Sequence, residues 1–243
     1  MAAHSLRENV FERVFQTRPW GQYPGEDVVR FVARHFFSTP DRSQVRLLEV
    51  GSGTGANLWF MAREGFSVHG IDAAPTGVAK SCERLDREVP GWRERGGQVQ
   101  VGDFAQLPYP DGTFDAVLDV AAVCYAPWAS ARAVYAELAR VTKPGGRLFS
   151  RTFAQGCWGE GTGCELAPHF WACTEGPLAN LGGTRFTSPD DVSALCQGWG
   201  VERIGLEARR DSVEQPCVQQ LIIQAVKLNE NRVLSNTDGH NKL

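Results

Sequence analysis

The chain has 243 residues, of which 42% are apolar and 22% charged, and its formal net charge is -3. This length and composition fit one ordinary globular domain with enough apolar residues for a substantial core. The mild acidity and the scattered lysines and arginines disfavour nucleic acid and anionic membranes as partners. Because no segment has the form of a signal peptide or a membrane helix, a cytoplasmic protein is expected.

The seven cysteines indicate reduced thiols, because an odd number is spread through a chain with a full apolar core. One local group has zinc-type ligands: Cys157, Cys164, His169 and Cys173. It lacks the paired C-x-x-C step that structural zinc sites use. Ordinary loop thiols are therefore the favoured interpretation, and no metal site is predicted.

The N-terminal part of the chain predicts a helical cap over residues 1–40. Two helices are expected near residues 5–16 and 26–37, and the proline and glycine content of residues 17–25 indicates an irregular crossing between them. Trp20 lies in that crossing. Two roles are open for it: shielding a ligand from water, or anchoring the cap to the rest of the protein.

After the cap, an apolar run ends in Glu49 directly before three alternating glycines, Gly51, Gly53 and Gly55. Glycine accepts positive φ and has no Cβ, so the chain turns sharply and its backbone can touch a ligand. The third glycine is expected to let the following helix pack close to the strand. A second apolar run ends at Asp72, about 20 residues after the first glycine, where a carboxylate accepts hydrogen bonds from ribose hydroxyls.

The glycine spacing alone does not name the ligand. With Ala56 in the last position it also satisfies the dinucleotide-binding pattern. A pyrophosphate favours a helix N-terminus with no anion beside it, whereas Glu49 places a negative charge just before the turn. The carboxylate therefore favours a cationic ligand.

From about residue 45 to residue 153 the chain resembles the class I S-adenosylmethionine-dependent methyltransferases. The acid and glycines of residues 49–55 match the first motif of that family. Residues 101–119 resemble its third and fourth strands with their linking loop, and residues 141–148 resemble the turn into its fifth strand. The resemblance implies S-adenosyl-L-methionine as the cofactor and S-adenosyl-L-homocysteine as the product.

The resemblance also implies individual roles. Asp72 would bind the ribose, Asp103 the adenine amino group and the Phe104 backbone an adenine ring nitrogen. The segment beginning at Asp119 would face the methionine part. The complete set of predicted cofactor contacts is Trp20, Glu49, Gly51, Ser52, Gly53, Gly55, Asn57, Asp72, Ala73, Asp103, Phe104, Asp119 and Val120.

The alternation of strand-like and helix-like segments predicts an α/β fold, with a doubly wound parallel sheet and helices on both faces. Strands are expected near residues 45–50, 67–71, 98–101, 114–119 and 146–153, and two more over 201–211 and 217–227. By resemblance the last two form an antiparallel pair. The result is a mostly parallel, seven-stranded, Rossmann-like methyltransferase sheet within a domain of residues 41–228.

Between the fifth strand and the final pair lies a long glycine-rich segment of weak periodicity, residues 154–186. Such a segment in a compact domain is usually a lid or binding loop, so it is predicted to be the substrate cover. The polar tail, residues 229–243, is predicted to be disordered.

Acceptor-binding residues are expected where the strand ends face the cover. The candidates are Tyr23, Tyr125, Trp128, Arg151 and His169. His169 is the candidate proton acceptor because imidazole titrates near neutral pH, although a loop histidine is often simply solvated. Tyr125 is a second catalytic candidate, and its alternative role is to pack its ring over the cofactor.

These observations predict transfer of a methyl group to N, O, S or C of a small metabolite, mainly by positioning the reactants for in-line displacement. A monomer or homodimer is expected. Two alternatives stay open: an NAD(P)-dependent oxidoreductase, which requires a sixth parallel strand, and a non-catalytic S-adenosylmethionine-binding module. After Asp119 the chain lacks the Pro-Pro-aromatic step of the similar nucleic-acid amino-methyltransferases, which favours a small-molecule acceptor.

Overall fold

The computed structural model describes the backbone of residues 2–228 and the side chains of residues 10–228. The helices are α1 (Ala2–Thr17), α2 (Glu26–Phe36), α3 (Ala56–Arg63), α4 (Pro75–Glu88), α5 (Trp128–Val141) and α6 (Val192–Leu195). The strands are β1 (Arg46–Val50), β2 (Ser67–Asp72), β3 (Gln98–Val101), β4 (Phe114–Val120), β5 (Thr142–Phe153), β6 (Cys164–Ala167), β7 (Phe170–Ala172), β8 (Gly183–Arg185), β9 (Trp199–Arg209) and β10 (Val218–Lys227). The tail for which disorder was predicted, residues 229–243, lies outside the described residues.

Seven strands form one mixed sheet in the order β3-β2-β1-β4-β5-β10-β9. The first five strands along the chain pair in parallel. Strand β10 is antiparallel to both of its neighbours, β5 and β9. The predicted fold class is confirmed, including the C-terminal antiparallel pair, and the sixth parallel strand that an NAD(P)-dependent oxidoreductase requires is not formed at this position.

Helices cover both faces of the sheet. Helices α2, α3 and α4 bury apolar residues of one face, and α5 and α6 those of the other. On α5 the residues Ala131, Val134 and Leu138 are buried, as their spacing of three and four residues requires. Burying each of the larger two contributes about 1.5–3 kcal/mol. Within the described part of the chain, no helix is long and apolar enough to cross a membrane.

Strand β5 begins earlier than the predicted residue 146. Helix α5 ends at Val141, and Thr142 already pairs with Phe114 of β4, whereas Ala116 pairs with Arg147. The intervening residues form a bulge in the strand, so the proline and glycines that predicted a separate turn lie within β5. The proline and glycines are typical turn residues, but the pairing with β4 decides where the strand begins.

The substrate-cover segment contains regular structure that the sequence did not indicate. Strands β6, β7 and β8 form a separate three-stranded antiparallel sheet. Each has only three or four residues, which is too short to show an alternating pattern. The buried Arg185 of β8 donates to the carbonyls of Val123 (3.1 Å) and Ala126 (2.7 Å), so this small sheet is bound to the segment after β4.

Gly55 packs against a different element from the one expected. A Cβ at this position would overlap the Ser81 hydroxyl of α4. The missing side chain therefore allows α3 to approach α4, whereas the sequence predicted a close approach of α3 to the preceding strand. Gly55 also has a φ of 79°. Gly145, within the β5 bulge, has a similar φ of 73°, but no atom lies within 4 Å of its Cβ position.

These two glycines form a matched pair for a stability test. Gly145→Ala adds only the backbone strain of positive φ, and we expect it to lower the free energy of unfolding by about 1–2 kcal/mol. Gly55→Ala adds a steric overlap to the same strain, and we expect a further loss of about 1–3 kcal/mol. Urea unfolding of both variants measures the difference. Equal losses would mean that the approach of α3 to α4 places no demand on Gly55.

Candidate active site

The carboxyl ends of the parallel strands meet at one edge of the sheet and enclose a cavity of about 280 Å³. Helix α1 and residues 17–25 close it from above. The structure brings these predicted site residues to the cavity: Trp20, Tyr23, Glu49, Gly51, Ser52, Gly53, Asn57, Asp72, Ala73, Phe104, Val120, Tyr125 and Arg151. Five others do not line it: Gly55, Asp103, Asp119, Trp128 and His169.

The glycine turn after β1 is fixed to two neighbouring segments. The backbone N–H groups of Gly51 and Ser52 donate to the Ile71 carbonyl of β2, at 2.8 and 3.2 Å. Gly51 has a φ of 63°, and a Cβ there would overlap the side chain of Ala122 in the segment after β4. The absence of a side chain therefore allows these two segments to come together at the cavity.

Asp72 spans the turn with its carboxylate. Its Oδ2 accepts the Gly53 N–H at 2.7 Å, and its Oδ1 accepts the Ala74 N–H at 2.8 Å. Burial raises the pKa of this carboxyl, and the two backbone bonds oppose that increase. Because each carboxylate oxygen has more than one acceptor position, Asp72 can still accept hydrogen bonds from ribose hydroxyls at the cavity.

Glu49 is the most unusual group at the cavity. It is 2% exposed, and its Oε1 accepts the Asn57 side-chain N–H at 2.5 Å. Its Oε2 is buried and has no hydrogen-bond partner among the described residues. Burial raises the pKa of Glu49 to about 8, Asn57 opposes the shift, and the negative charges of Asp72 and Asp119 add to it. This carboxyl becomes fully ionised at neutral pH only beside a positive charge.

Asp119 is turned away from the cavity, contrary to the predicted cofactor contact. Its Oδ1 accepts the N–H groups of Ala122 (3.0 Å) and Val123 (2.9 Å), and its Oδ2 accepts the hydroxyls of Tyr135 (2.8 Å) and Ser150 (2.9 Å). All of the side chain is buried, which raises its pKa. Asp119 therefore fixes the segment that follows it. That segment lines the cavity, beginning with the predicted contact Val120.

At the opposite side of the cavity, Phe104 is a lining residue and Asp103 is not. The Oδ1 of Asp103 accepts the N–H of Ala105 at 2.8 Å, which forms a local turn. The predicted contact of Asp103 with the adenine amino group stays a prediction.

Aromatic side chains form the wall under the cap. Phe11 and Phe15 of α1 line the cavity, and Phe11 contacts Tyr125 with ring centroids 4.8 Å apart. Phe15 contacts Trp20 edge to face at 5.4 Å. Trp20 thus lines the cavity and also packs on the cap, so the structure is compatible with both roles considered for it. The sequence analysis did not identify Phe11 and Phe15 as site residues. Their spacing of four residues, which places them on one helix face, was the signal that could have revealed them.

Tyr125 is almost completely buried where it meets the cavity. Burial raises the pKa of its hydroxyl well above the ordinary value of 10. At neutral pH the side chain is therefore a neutral hydrogen-bonding group and is not an ionised base.

Arg151 reaches the cavity but its guanidinium is engaged elsewhere. Its Nε lies 3.0 Å from Asp27 Oδ2, and its Nη2 lies 2.5 Å from Asp27 Oδ1 and 3.1 Å from Glu207 Oε2. Asp27 is in the first turn of α2, directly after the 17–25 crossing. The predicted acceptor-binding residue therefore ties the start of α2 to β5, a partner that 124 positions of sequence separation concealed.

His169 and Trp128 lie apart from the cavity, contrary to their predicted acceptor-binding positions. His169 has a φ of 55° at the tip between β6 and β7, where its backbone N–H donates to Glu165 and its exposed ring lies 3.4 Å from Glu160 Oε1. The hairpin, which the sequence did not reveal, carries the imidazole away. Trp128 begins α5 and packs against the core beneath it. Tyr23 reaches the cavity although it is 71% exposed.

All seven cysteines are free thiols in the structure. In the part of the chain that the structure describes, no group of three histidine, cysteine, aspartate or glutamate residues could hold a metal ion. The zinc-type ligands noted in residues 157–173 do not form such a group.

Comparison with known proteins identifies the domain that carries this cavity. Residues 48–150 match the family described as a methyltransferase domain. A magnesium protoporphyrin IX methyltransferase from Synechocystis PCC 6803, solved with bound S-adenosylmethionine, has a TM-score of 0.62 and covers 91% of this chain and 97% of its own. It is 15% identical, so it shows a shared fold. Residues 48–150 are thus similar to a methyltransferase domain, and the chain has the fold of the class I S-adenosylmethionine-dependent methyltransferases. This likeness points to S-adenosylmethionine as the cofactor.

Curated methyltransferases match the same region. Demethylmenaquinone methyltransferase of Tropheryma whipplei (strain Twist) is 38% identical over 105 residues, which are 42% of this chain and 39% of that protein. Sterol 24-C-methyltransferase erg-4 of Neurospora crassa is 33% identical over 142 residues, which are 52% of this chain and 35% of that protein. The chain thus spans under two fifths of the length of these relatives.

The residues of the cavity fit S-adenosylmethionine as a cofactor. An orphaned carboxylate oxygen of Glu49 suits the positive charge that the cofactor carries, and Asp72 suits its ribose. The glycine turn between them exposes backbone in place of side chains. The cavity is slightly smaller than the roughly 300–1,000 Å³ usual for ligand sites, and six of its lining residues are aromatic.

The raised pKa of Glu49 predicts that cofactor binding depends on pH. Below about pH 8 the carboxyl is protonated, so binding of a cation releases a proton, and affinity rises about tenfold per pH unit until it levels near pH 8. Calorimetry between pH 6 and 9 measures this slope, and Glu49→Gln is the control because it cannot titrate. The difference between the two slopes isolates Glu49 from titration of the cofactor itself. Parallel slopes would contradict the assignment.

The same shift predicts the opposite trend for the stability of the ligand-free protein. The folded pKa of Glu49 lies above its ordinary value of 4.5, so folding disfavours the ionised form. The contribution of this group is fully present below pH 4.5 and is lost as the pH rises to about 8. Thermal melting of wild type and Glu49→Gln over this range should therefore diverge, with the wild type losing more stability. A wild type that becomes the more stable protein at high pH would contradict the sign.

The Asp27–Arg151 pair predicts that the Asp27 carboxylate stabilises the position of α2 on the sheet. Asp27→Asn removes a charge-assisted hydrogen bond between two side chains that are less than one fifth exposed, and should lower the free energy of unfolding by about 1.5–3 kcal/mol and weaken cofactor binding. The adjacent Glu26→Gln is the control, because its pair with Arg30 is exposed and contributes about 0.5 kcal/mol or less. Urea unfolding and calorimetry measure both. Similar effects of the two variants would rule out a specific role for Asp27.

Proposed function

We propose that this protein transfers a methyl group from S-adenosylmethionine to a nucleophilic atom of a small, apolar acceptor. One observation supports this most strongly: a single cavity joins an acidic end, formed by Glu49 and Asp72, to a wall of four aromatic side chains. The acidic end suits the charged cofactor, and the aromatic wall suits a second ligand whose surface is mainly apolar.

When bound, the cofactor supplies a methyl group activated by its positive sulfur. The residues of the chain position the two reactants. Asp72 and the glycine turn fix the nucleoside, Glu49 orients the positive charge, and Phe11 and Phe15 exclude water from the cavity. Fixing two reactants in a reactive geometry contributes about 7–11 kcal/mol, which lowers the need for other catalytic groups.

The lining of the cavity favours an acceptor whose nucleophilic atom is reactive without a base from the protein. Among the described residues that line it there is no histidine, lysine or cysteine. Glu49 and Asp72 serve the cofactor, the guanidinium of Arg151 is paired, and Tyr125 is a neutral hydroxyl. An amine, a thiolate or an already acidic hydroxyl or carbon therefore fits better than an acceptor that must lose its proton to a strong base. Tyr125 is placed to form a hydrogen bond with such an acceptor.

The curated relatives support an apolar methyl acceptor. Two of them are methyltransferases named for demethylmenaquinone and for carbon 24 of a sterol, and both of these acceptors are mainly apolar. Edge contacts among Phe11, Phe15, Trp20 and Tyr125 leave ring faces against which a flat apolar or amine-bearing molecule can lie. The proposed acceptor class is thus a ring-containing small molecule with a nucleophilic N, O, S or C atom.

The test is product formation with methyl-labelled S-adenosylmethionine. Three matched acceptors with the same apolar body, carrying an amine, a thiol or a hydroquinone, are compared, and mass spectrometry measures the labelled product and S-adenosylhomocysteine. We expect product with at least one of them. Tight cofactor binding without product from any of the three would favour the non-catalytic binding module.

A second measurement tests the cofactor end alone. Asp72→Ala leaves ribose hydroxyls and two backbone N–H groups without their acceptor, and should weaken S-adenosylmethionine binding by about 1–3 kcal/mol, or roughly fivefold to 150-fold. Asp190→Ala, an exposed aspartate outside the cavity, is the control and should bind like the wild type. Unchanged affinity of Asp72→Ala would show that the ribose lies elsewhere.

A further inference from the structure

Strand β9 is an unprotected edge of the main sheet. It pairs with β10 on one side, and no strand is paired with its other side in the described part of the chain. It is eleven residues long and contains no proline, and its pairing with β10 is regular from Arg203 to Arg209. Long regular edges expose a row of unpaired backbone N–H and C=O groups, which natural sheets usually shorten, interrupt or cover.

Two large apolar side chains are exposed on this strand. Ile204 is 40% exposed and Leu206 is 61% exposed. In the register with β10 they stand beside Ile223 and Leu221, which are fully or almost fully buried in the core. The apolar face of the sheet therefore continues to its edge and stops there uncovered.

The sequence of β9 is complementary to itself in one antiparallel register. When a two-fold axis passes through Gly205, Arg203 lies opposite Glu207 of a second copy, and Ile204 lies opposite its Leu206. Opposed residues share a face of the sheet, so only registers centred on a residue are allowed. Centring on Leu206 would oppose Arg203 to Arg209, and centring on Ile204 would pair no charges.

The charged groups needed for this register are available. Arg203 is exposed and forms no ion pair with a described residue. Glu207 is exposed and bonds Arg151 through Oε2, which leaves Oε1 as an acceptor. A Cβ at Gly205 would meet the Ile222 side chain and carbonyl only at 3.8 Å, so the backbone at the axis is not crowded.

We propose that β9 pairs with β9 of a second copy of this chain about a two-fold axis at Gly205, joining two seven-stranded sheets into one. The pairing satisfies the edge backbone groups, and it covers Ile204 with the partner's Leu206. Arg203 binds the partner's Glu207 on the opposite face. Among the registers centred on Ile204, Gly205 and Leu206, opposite charges of β9 meet only in this one, so they select it against its neighbours.

The first test measures the mass of the whole protein by light scattering. We expect the wild type to have twice the chain mass of 26.7 kDa. Arg203→Glu and Glu207→Arg each place like charges opposite each other at two points and should each give monomers. A mixture of these two variants should restore the dimer, because every acidic side chain then faces a basic one. A monomeric wild type, or a mixture that stays monomeric while the wild type dimerises, would overturn the proposal.

The second test locates the axis. Directly opposed residues of antiparallel strands have Cα atoms about 4.5–5.5 Å apart, which suits a disulfide. In a Cys164→Ser background, Gly205→Cys should form an intermolecular disulfide on mild oxidation. Gln98→Cys, exposed on the opposite edge strand β3, is the control. Dimers that cross-link no faster through position 205 than through position 98 would show that the interface lies on another surface.

Discussion

The buried carboxylate of Asp119 is the interaction on which the cavity depends. It accepts four hydrogen bonds, two from the backbone just beyond β4 and two from hydroxyls of α5 and β5. A buried carboxylate is costly unless donors surround it, so these elements have one favourable arrangement relative to each other. That arrangement brings Ala122 against Gly51 and closes the cavity between the first and fourth strands.

Three acids at the ends of neighbouring strands have three different roles because their surroundings differ. Asp119 has all of its oxygens satisfied and is structural. Asp72 has one backbone donor on each oxygen and retains capacity for a ligand. Glu49 has one partner and one orphaned oxygen, and burial raises its pKa to about 8. The number of donors within the protein thus separates scaffold from binding group.

Arginines connect the segments above the cavity to the sheet beneath it. Arg151 ties the start of α2 to β5 and, through Glu207, reaches the edge strand. Arg185 ties the small cover sheet to the segment after β4. A planar guanidinium with five donors can satisfy carboxylates or several carbonyls at once, which suits it to join elements distant in sequence. The cap and cover are therefore fixed by specific polar contacts in addition to apolar packing.

The sequence by itself determined the parallel strands with their covering helices and the glycine turn flanked by Glu49 and Asp72, because these depend on local patterns: alternating periodicity, glycines that permit positive φ, and carboxylates at strand ends. The antiparallel end of the sheet was expected only from the family resemblance. It did not determine which acid faces the cavity, since Glu49, Asp72 and Asp119 all follow apolar runs and differ only in donors contributed from other elements. For the same reason the sequence did not reveal that Arg151, although it lines the cavity, is paired with Asp27, or that His169 lies apart from the cavity. Their positions depend on an ion pair across 124 residues and on a hairpin too short to show periodicity, and only tertiary packing decides such contacts.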